Sequence, residues 1–405
     1  MKGKAINLLT ASLLIALLPG CTFLLGSKED DTVDEIFVQG AIDPTLVPQN
    51  VGYVPIQPFF TGFIEPMDVY VGYDEMIYVV DKTGLVILDR TGTRHAVIPI
   101  PGATDVTQDR RLHTYVAGRV NINGMDLAAV YHLTNTVTGQ GYEIIDTLIH
   151  PFADVSRKNT GLRGADDEKV QFTGLTTLFD NTLYVSRTGP VNDPSSIARP
   201  DNGVLFFNAK GENTGYSSGL NSSSSSLRSV LGISSIAGFA APPQRQFGLS
   251  ESRDFLITQS DQSKPVEFRV LWIKEHVDPD FGTTYEENTA LVNFDNTKAD
   301  RFLYDSFRFK NPVDVFAAPD ASAYIFVVDE GLDSLYQFTP TGFEGVNPPA
   351  NSGAKKQIRV SFGGEGSGPF QFKDPSGVTY SRKIVYVADK GNNRICRYIL
   401  STDLE

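Results

Sequence analysis

One pattern recurs along the chain and constrains its fold more than any other feature: an apolar strand, a turn, a second apolar strand ending in Asp, a turn, and a third strand. The final copy is the clearest. It runs through Phe372, Lys373, Asp374, Pro375, Ser376, Gly377 and Val378, then Val385, Tyr386, Val387, Ala388 and Asp389, then Gly391, Asn392, Asn393, Arg394 and Ile395. Residues 66–69 lead in the same order to 77–81 and 85–88, and residues 312–315 lead to 326–329 and 335–338. Three weaker copies centre on 114–117, 184–187 and 256–259. Internal repetition of this kind means units that cannot bury their apolar surface alone and must stack on one another. The strands are rich in Val, Ile, Tyr and Phe with Gly, Asn and Asp between them, and no long amphipathic helix interrupts them. The expected architecture is therefore all-β: a β-propeller of six four-stranded antiparallel blades, with seven blades as the alternative.

The long gaps between copies hold candidate outer strands at 127–132, 142–149, 204–207, 266–272, 289–294 and 357–362, together with a Pro-rich stretch at 190–201 and a Ser-rich one at 217–226. The last copy has only three strands before the sequence reaches Glu405. Its fourth strand is expected from 35–38 or 51–56, which would latch the ring and remove a free sheet edge.

The last copy resembles the NHL repeat, with its Pro-x-Gly-Val strand, Tyr-Val-Ala-Asp strand and Gly-Asn-Asn-Arg-Ile turn. That resemblance implies a six-bladed propeller, and two kinds of activity. One is a binding or scaffolding module for a protein or glycan ligand. The other is a metal-dependent hydrolase or lyase, of the lactonase-like or peptidyl-hydroxyglycine lyase type, with a metal such as calcium in the central channel. In NHL-like repeats the acid after the second strand, here Asp81, Asp329 and Asp389, bonds backbone groups, so these three are read as structural acids.

Lys2 and Lys4 precede a short apolar stretch at 6–18 that ends at Pro19 and Gly20, the composition of a secretory signal and too short for a confident membrane span. Leu18, Pro19, Gly20 and Cys21 resemble the lipobox of bacterial lipoproteins, which implies cleavage before Cys21 and lipidation of its thiol. The organisation expected is a signal at 1–20, a lipidated tether at 21–33 and the propeller at 34–405. The tether carries Glu29, Asp30 and Asp31, either a solvated spacer or a run resembling the surface-export signal of Bacteroidetes lipoproteins. The address is then the bacterial cell envelope, lipid-anchored, in the outer membrane on its periplasmic or outer face. A net charge of -13 argues against nucleic acid as a partner.

No other motif points to chemistry. The five histidines His95, His113, His132, His150 and His276 show no metal-binding spacing. Asp278 and Asp280 begin like a calcium loop, but Gly282, Thr283 and Thr289 stand where ligands belong. Gly215, Tyr216, Ser217, Ser218 and Gly219 spell Gly-x-Ser-x-Gly without the helix that motif requires. Cys396 reads as a core residue, and Tyr53, Phe59, Phe60 and Phe63 as core or latch packing. No catalytic residue, cofactor ligand or metal ligand is assigned. The functional expectation is a membrane-anchored binding module.

Overall fold

The computed structural model describes residues 41–136, 141–151, 153, 155, 164–192, 201–217, 231–243, 247–263, 265–280, 282–350 and 352–404. Six antiparallel sheets of four or more strands make up almost all of its regular structure. Blade 1 contains β3 (Asp68–Val71), β4 (Ile77–Asp81), β5 (Gly84–Leu88) and β6 (Arg94–Ile98). Blade 2 contains β7 (Asp105–Gln108), β8 (Thr114–Ile122), β9 (Met125–Asn135) and β10 (Tyr142–Ile149). Blade 3 contains β11 (Gln171–Thr177), β12 (Leu183–Thr188), β13 (Gly203–Phe207) and β14 (Asn213–Tyr216). Blade 4 contains β15 (Ile233–Gly238), β16 (Phe255–Gln259), β17 (Val270–Asp278) and β18 (Gly282–Glu287). Blade 5 contains β19 (Pro312–Ala317), β20 (Ile325–Asp329), β21 (Ser334–Phe338) and β22 (Phe362–Gly363). Blade 6 takes β23 (Pro375–Ser381), β24 (Ile384–Asp389) and β25 (Arg394–Leu400) from the end of the chain, and β1 (Tyr53–Pro55) with the short β2 (Phe60–Thr61) from its beginning. The first strands β3, β7, β11, β15, β19 and β23 each pack against the next, and β23 returns to β3, so the ring is closed with six blades.

The strand sequences explain why the core lies between blades. In β4, Ile77 and Val79 face blade 6, while Tyr78 and Val80 face blade 2. In β20, Phe326 and Val328 face blade 6, while Ile325 and Val327 face blade 4. Side chains alternate across a strand, so two buried faces demand an uninterrupted apolar run instead of an alternating one. Turns between second and third strands use residues that accept a left-handed backbone: Asp333 (φ 47°) in blade 5 and Asn393 (φ 55°) in blade 6.

The fourth strand of blade 6 is the 51–56 candidate. Tyr53 pairs with Leu400, Val54 with Ile399 and Pro55 with Tyr398. The alternative at 35–38 lies outside the described residues. Tyr53 is buried beside Tyr398 and Phe362, and its hydroxyl donates to Gln337 Oε1 in blade 5 at 2.5 Å. Phe60 and Phe63 enter the layer between blades 6 and 1, and Phe59 packs on Tyr398. The four aromatics are thus packing for the latch.

Three sequence expectations shift. The register places Tyr115, not Thr114, at the position of Tyr78, Tyr184, Leu256, Phe326 and Tyr386. The outer strand of blade 4 is β18, not 289–294: Asp278 Oδ1 accepts the Asp280 amide at 2.8 Å and starts a hairpin turn completed by Gly282 (φ 82°). Thr289–Leu291 is a 3-10 turn capped by Asn288. In blade 5 only Phe362 and Gly363 pair as an outer strand, so 357–362 is mostly connection.

Removing the Tyr53 ring should open the latch. Tyr53→Ala is expected to destabilise the fold by about 3–5 kcal/mol, the range for a buried aromatic truncated to Ala. Tyr53→Phe, which only strips the bond to Gln337, should cost about 1 kcal/mol. Urea unfolding of the two variants checks the order.

Candidate functional site

The six first strands surround a central channel, and their equivalent positions form layers. The innermost layer consists of Asp68, Asp105, Gly174, Ser235, Asp314 and Gly377, which pair with Val80, Ala117, Ser186, Thr258, Val328 and Ala388 in their second strands. Its carboxylates join blades. Asp68 Oδ2 accepts the Val106 amide of blade 2 at 3.0 Å, and Asp105 Oδ1 accepts the Leu175 amide of blade 3 at 3.0 Å. Asp314 Oδ2 accepts the Val378 amide of blade 6 at 2.6 Å, and its Oδ1 receives the Ser235 hydroxyl of blade 4 at 2.5 Å. Glycine stands opposite Asp68 by necessity, because a Cβ on Gly377 would lie 2.7 Å from both the Asp68 Cα and Oδ1.

Burial governs the electrostatics of this layer. Desolvation pushes the Asp68 carboxyl up to about 7. The same desolvation, with repulsion from Asp68, raises Asp314 well above the usual carboxylate range, and Asp105 is raised by desolvation and by both other acids. Their backbone bonds pull in the opposite direction but do not prevail. Burial in low dielectric disfavours the ionised form, and like charges add to that.

Above this layer the channel widens into a cavity of about 320 Å³. Its lining includes Asp68 and Asp105 at the deep end, Tyr70, Thr107, Thr176 and Phe316 along the wall, and Tyr73, Glu75 and Arg382 towards the rim. It opens where the first strands leave for the second ones. Tyr70 of blade 1 and Phe316 of blade 5 meet edge to face at 6.3 Å, and both are half-buried. At the rim Glu75 bonds Arg382 and also pairs with Arg90 at 2.9 Å, tying the first blade to the last.

The three acids read from the repeats sit elsewhere. Asp81 Oδ2 accepts the Ile64 amide at 3.0 Å, Asp329 accepts the amides of Lys310 and Asn311 at 2.7 and 2.9 Å, and Asp389 accepts that of Lys373 at 2.7 Å. Each holds the loop that enters its own blade, and none lines the cavity. At the same position blade 4 has Gln259, which accepts the Leu231 amide at 2.6 Å, and blade 3 has the buried Arg187, which donates to the Asp201 carbonyl at 2.8 Å. Cys21 lies outside the described residues.

The remaining candidates scatter. His113 Nδ1 and His132 Nε2 lie 2.8 Å apart in blade 2, His95 bonds Asp89, His150 is buried, and His276 is in β17. Among the described residues no group of three or more His, Cys, Asp or Glu side chains is arranged to hold a metal ion. Calcium takes six to eight oxygens, and Asp68, Asp105 and Asp314 each have one oxygen committed to a backbone amide. Ser217 Oγ accepts the Val204 amide at 3.0 Å, a backbone clip and not a nucleophile's setting, while Ser218 and Gly219 lie outside the described residues. Cys396 is fully buried beside Asp389, and burial raises its thiol pKa, which keeps it an inert thiol.

No family model and no curated protein matches the chain. Solved structures do. An auxiliary nutrient binding protein from Bacteroides thetaiotaomicron aligns with 84% of this chain and 70% of its own, at 12% identity and a TM-score of 0.49. The PQQ-bound aldose sugar dehydrogenase of Streptomyces coelicolor aligns with 87% and 99%, at 11% identity and a TM-score of 0.49. Virginiamycin B lyase from Staphylococcus aureus aligns with 86% and 98%, at 9% identity and a TM-score of 0.44. At these identities and TM-scores the likeness says nothing of what this chain does.

The channel acids make stability depend on pH in a definite direction. With raised pKa values the folded chain holds protons that the unfolded chain has already released, so the stabilisation is complete below about pH 4 and is lost as pH rises through about 7 for Asp68. Asp105 and Asp314, raised by the same burial, contribute in the same direction. Between pH 5 and pH 8 the melting temperature should fall, and Asp68→Asn should flatten that fall. Thermal unfolding across the range checks both.

Proposed function

We propose that this protein is a membrane-anchored, extracytoplasmic binding module that takes the end of a glycan or protein ligand into the channel mouth. The observation that supports this reading is the cavity itself: about 320 Å³, open at one end, walled by Tyr70, Phe316 and Tyr73, with Thr107, Thr176, Glu75 and Arg382 among its polar groups. Ligand sites are commonly concave and largely preformed, with aromatic walls and a few placed polar groups. A sugar ring or the tip of a peptide chain matches that size, and a longer ligand would extend over the rim.

The anchoring half of the proposal rests on the lipobox-like run Leu18, Pro19, Gly20 and Cys21. Two acyl chains on the thioether glycerol and one on the amino group would bury dozens of methylenes at ~0.8 kcal/mol each, so release would be negligible. The NHL-like reading of the repeats rests on the last copy, residues 372–395.

Two measurements test the two halves. The purified full-length protein should carry labelled fatty acid after growth with labelled palmitate, and Cys21→Ala should abolish the label; a label that survives Cys21→Ala, or none on the unaltered chain, would refute lipidation at Cys21. The soluble chain from residue 22 should bind members of a glycan and peptide panel, and Phe316→Ala should weaken that binding roughly tenfold, about 1.4 kcal/mol. Stoichiometric calcium in the purified protein, with a melting temperature lowered by chelation, would instead favour a metal-dependent hydrolase or lyase.

A further inference from the structure

Ala240 and Pro242 line the cavity from residues 239–242, the segment that follows β15 in blade 4. This segment has no regular structure, and among the described residues no main-chain hydrogen bond reaches it. A backbone stretch without such bonds has little local stability of its own. Two side-chain contacts hold it instead. At its start Phe239 is buried and packs on Trp272, with ring centroids 4.5 Å apart. Two residues on, the Ala241 carbonyl is held from another blade altogether.

That hold comes from Arg110, in the turn between β7 and β8 of blade 2. Its Nε and Nη2 donate to the Ala241 carbonyl at 3.0 and 2.7 Å. Its Nη1 donates to the Phe179 carbonyl at 3.2 Å, and its own amide donates to Asn181 Oδ1 at 3.1 Å, both in the blade 3 turn between β11 and β12. The side chain thus spans the end of blade 3 to reach blade 4. The turn that supports it is itself fixed, since Arg253 pairs with Asp180 and lies over the Phe179 ring at 5.5 Å. Arg110 also faces Tyr73 of blade 1, another residue of the cavity wall. A guanidinium suits this task because its donors form a rigid planar fork, which a lysine ammonium cannot reproduce.

We propose that Arg110 is a positioning residue that sets the width of the channel mouth: by pinning Ala241 it keeps Ala240 and Pro242 in the cavity wall, and so restricts the channel to the narrow end of a ligand. This rests on the binding-module reading and adds how that site selects by size. Arg110 acts through the blade 4 segment and not by touching the ligand. Without it, Phe239 still anchors the start of the segment, but the residues beyond can swing away from the opening.

The experiment measures the opening directly, without a ligand. Cys396 is fully buried, so the chain from residue 22 carrying Phe316→Cys offers one accessible thiol, on the cavity wall. Its labelling is followed with N-ethylmaleimide and with the bulkier fluorescein maleimide. Adding Arg110→Ala should raise the ratio of the bulky to the small labelling rate about tenfold, the effect of one lost charge-assisted bond on the population of an open rim. Arg110→Lys keeps the charge but not the fork, and should raise the ratio by less. Trp272, the only tryptophan, supplies the control: its emission should stay unchanged, because Phe239 keeps its place. Should Arg110→Ala lose cooperative unfolding, Arg110→Lys decides alone. A ratio that neither substitution moves, or rates that rise equally for both reagents, overturns the role of Arg110. A ratio that rises only together with a shifted Trp272 emission overturns it too, as a general disruption of blade 4. Each of these results leaves the binding module standing, which falls instead on a blank glycan and peptide panel.

Discussion

Every blade of this ring carries apolar side chains on both faces, and only a neighbouring blade can cover them. The layers around Val79 and Tyr386 on one side of blade 1, and around Tyr78 and Val116 on the other, exist because the ring closes. An open arc would leave two large apolar faces in water, at roughly 25 cal/mol for each Å² exposed. The latch strand β1 completes the outer edge of the last blade, and Tyr53 reaches past it to Gln337 of blade 5. Stability is thus distributed around the ring while depending on the meeting of its two ends.

The same closure creates the candidate site. Six first strands converge on one axis, so whatever occupies a given repeat position is brought face to face six times. At one layer the occupants are three acids, one serine and two glycines. The glycines give the room, the serine and the backbone amides give partial compensation, and the carboxyl pKa values stay raised. Asp314 does the most bridging, since it touches blades 4 and 6 while belonging to blade 5. The layer therefore acts both as a joint between blades and as the floor of a cavity.

A division of labour among acids emerges. Asp81, Asp329 and Asp389 end the second strands and hold the entry loops of their own blades through backbone amides. Asp68, Asp105 and Asp314 sit in the first strands and reach neighbouring blades. Gln259 shows that the first role needs an acceptor and not a charge. In the second role burial raises the carboxyl pKa, because a low-dielectric position disfavours the ionised form.

The repeated strand pattern in the sequence was enough for the all-β class, for six blades ahead of seven, and for an N-terminal latch from one of two stretches, because alternation, turn residues and repeat order are local properties of the chain; ring closure decided the blade count and the pairing of Tyr53–Pro55 placed the latch. The acids after the second strands were legible for the same reason: Asp81, Asp329 and Asp389 recur beside a conspicuous apolar run. The channel acids recur less visibly, as Asp followed by Val at positions 68, 105 and 314, and nothing in that dipeptide says that three distant copies share one layer. The outer strand of blade 4 was misplaced because the turn at Asp278 and Gly282 competes with the apolar run at 289–294, and only packing decides between them. The tertiary structure alone decided that the cavity exists, how large it is and which side chains meet in it. Those follow from the angle at which six twisted sheets close around an axis, a quantity that no single segment carries.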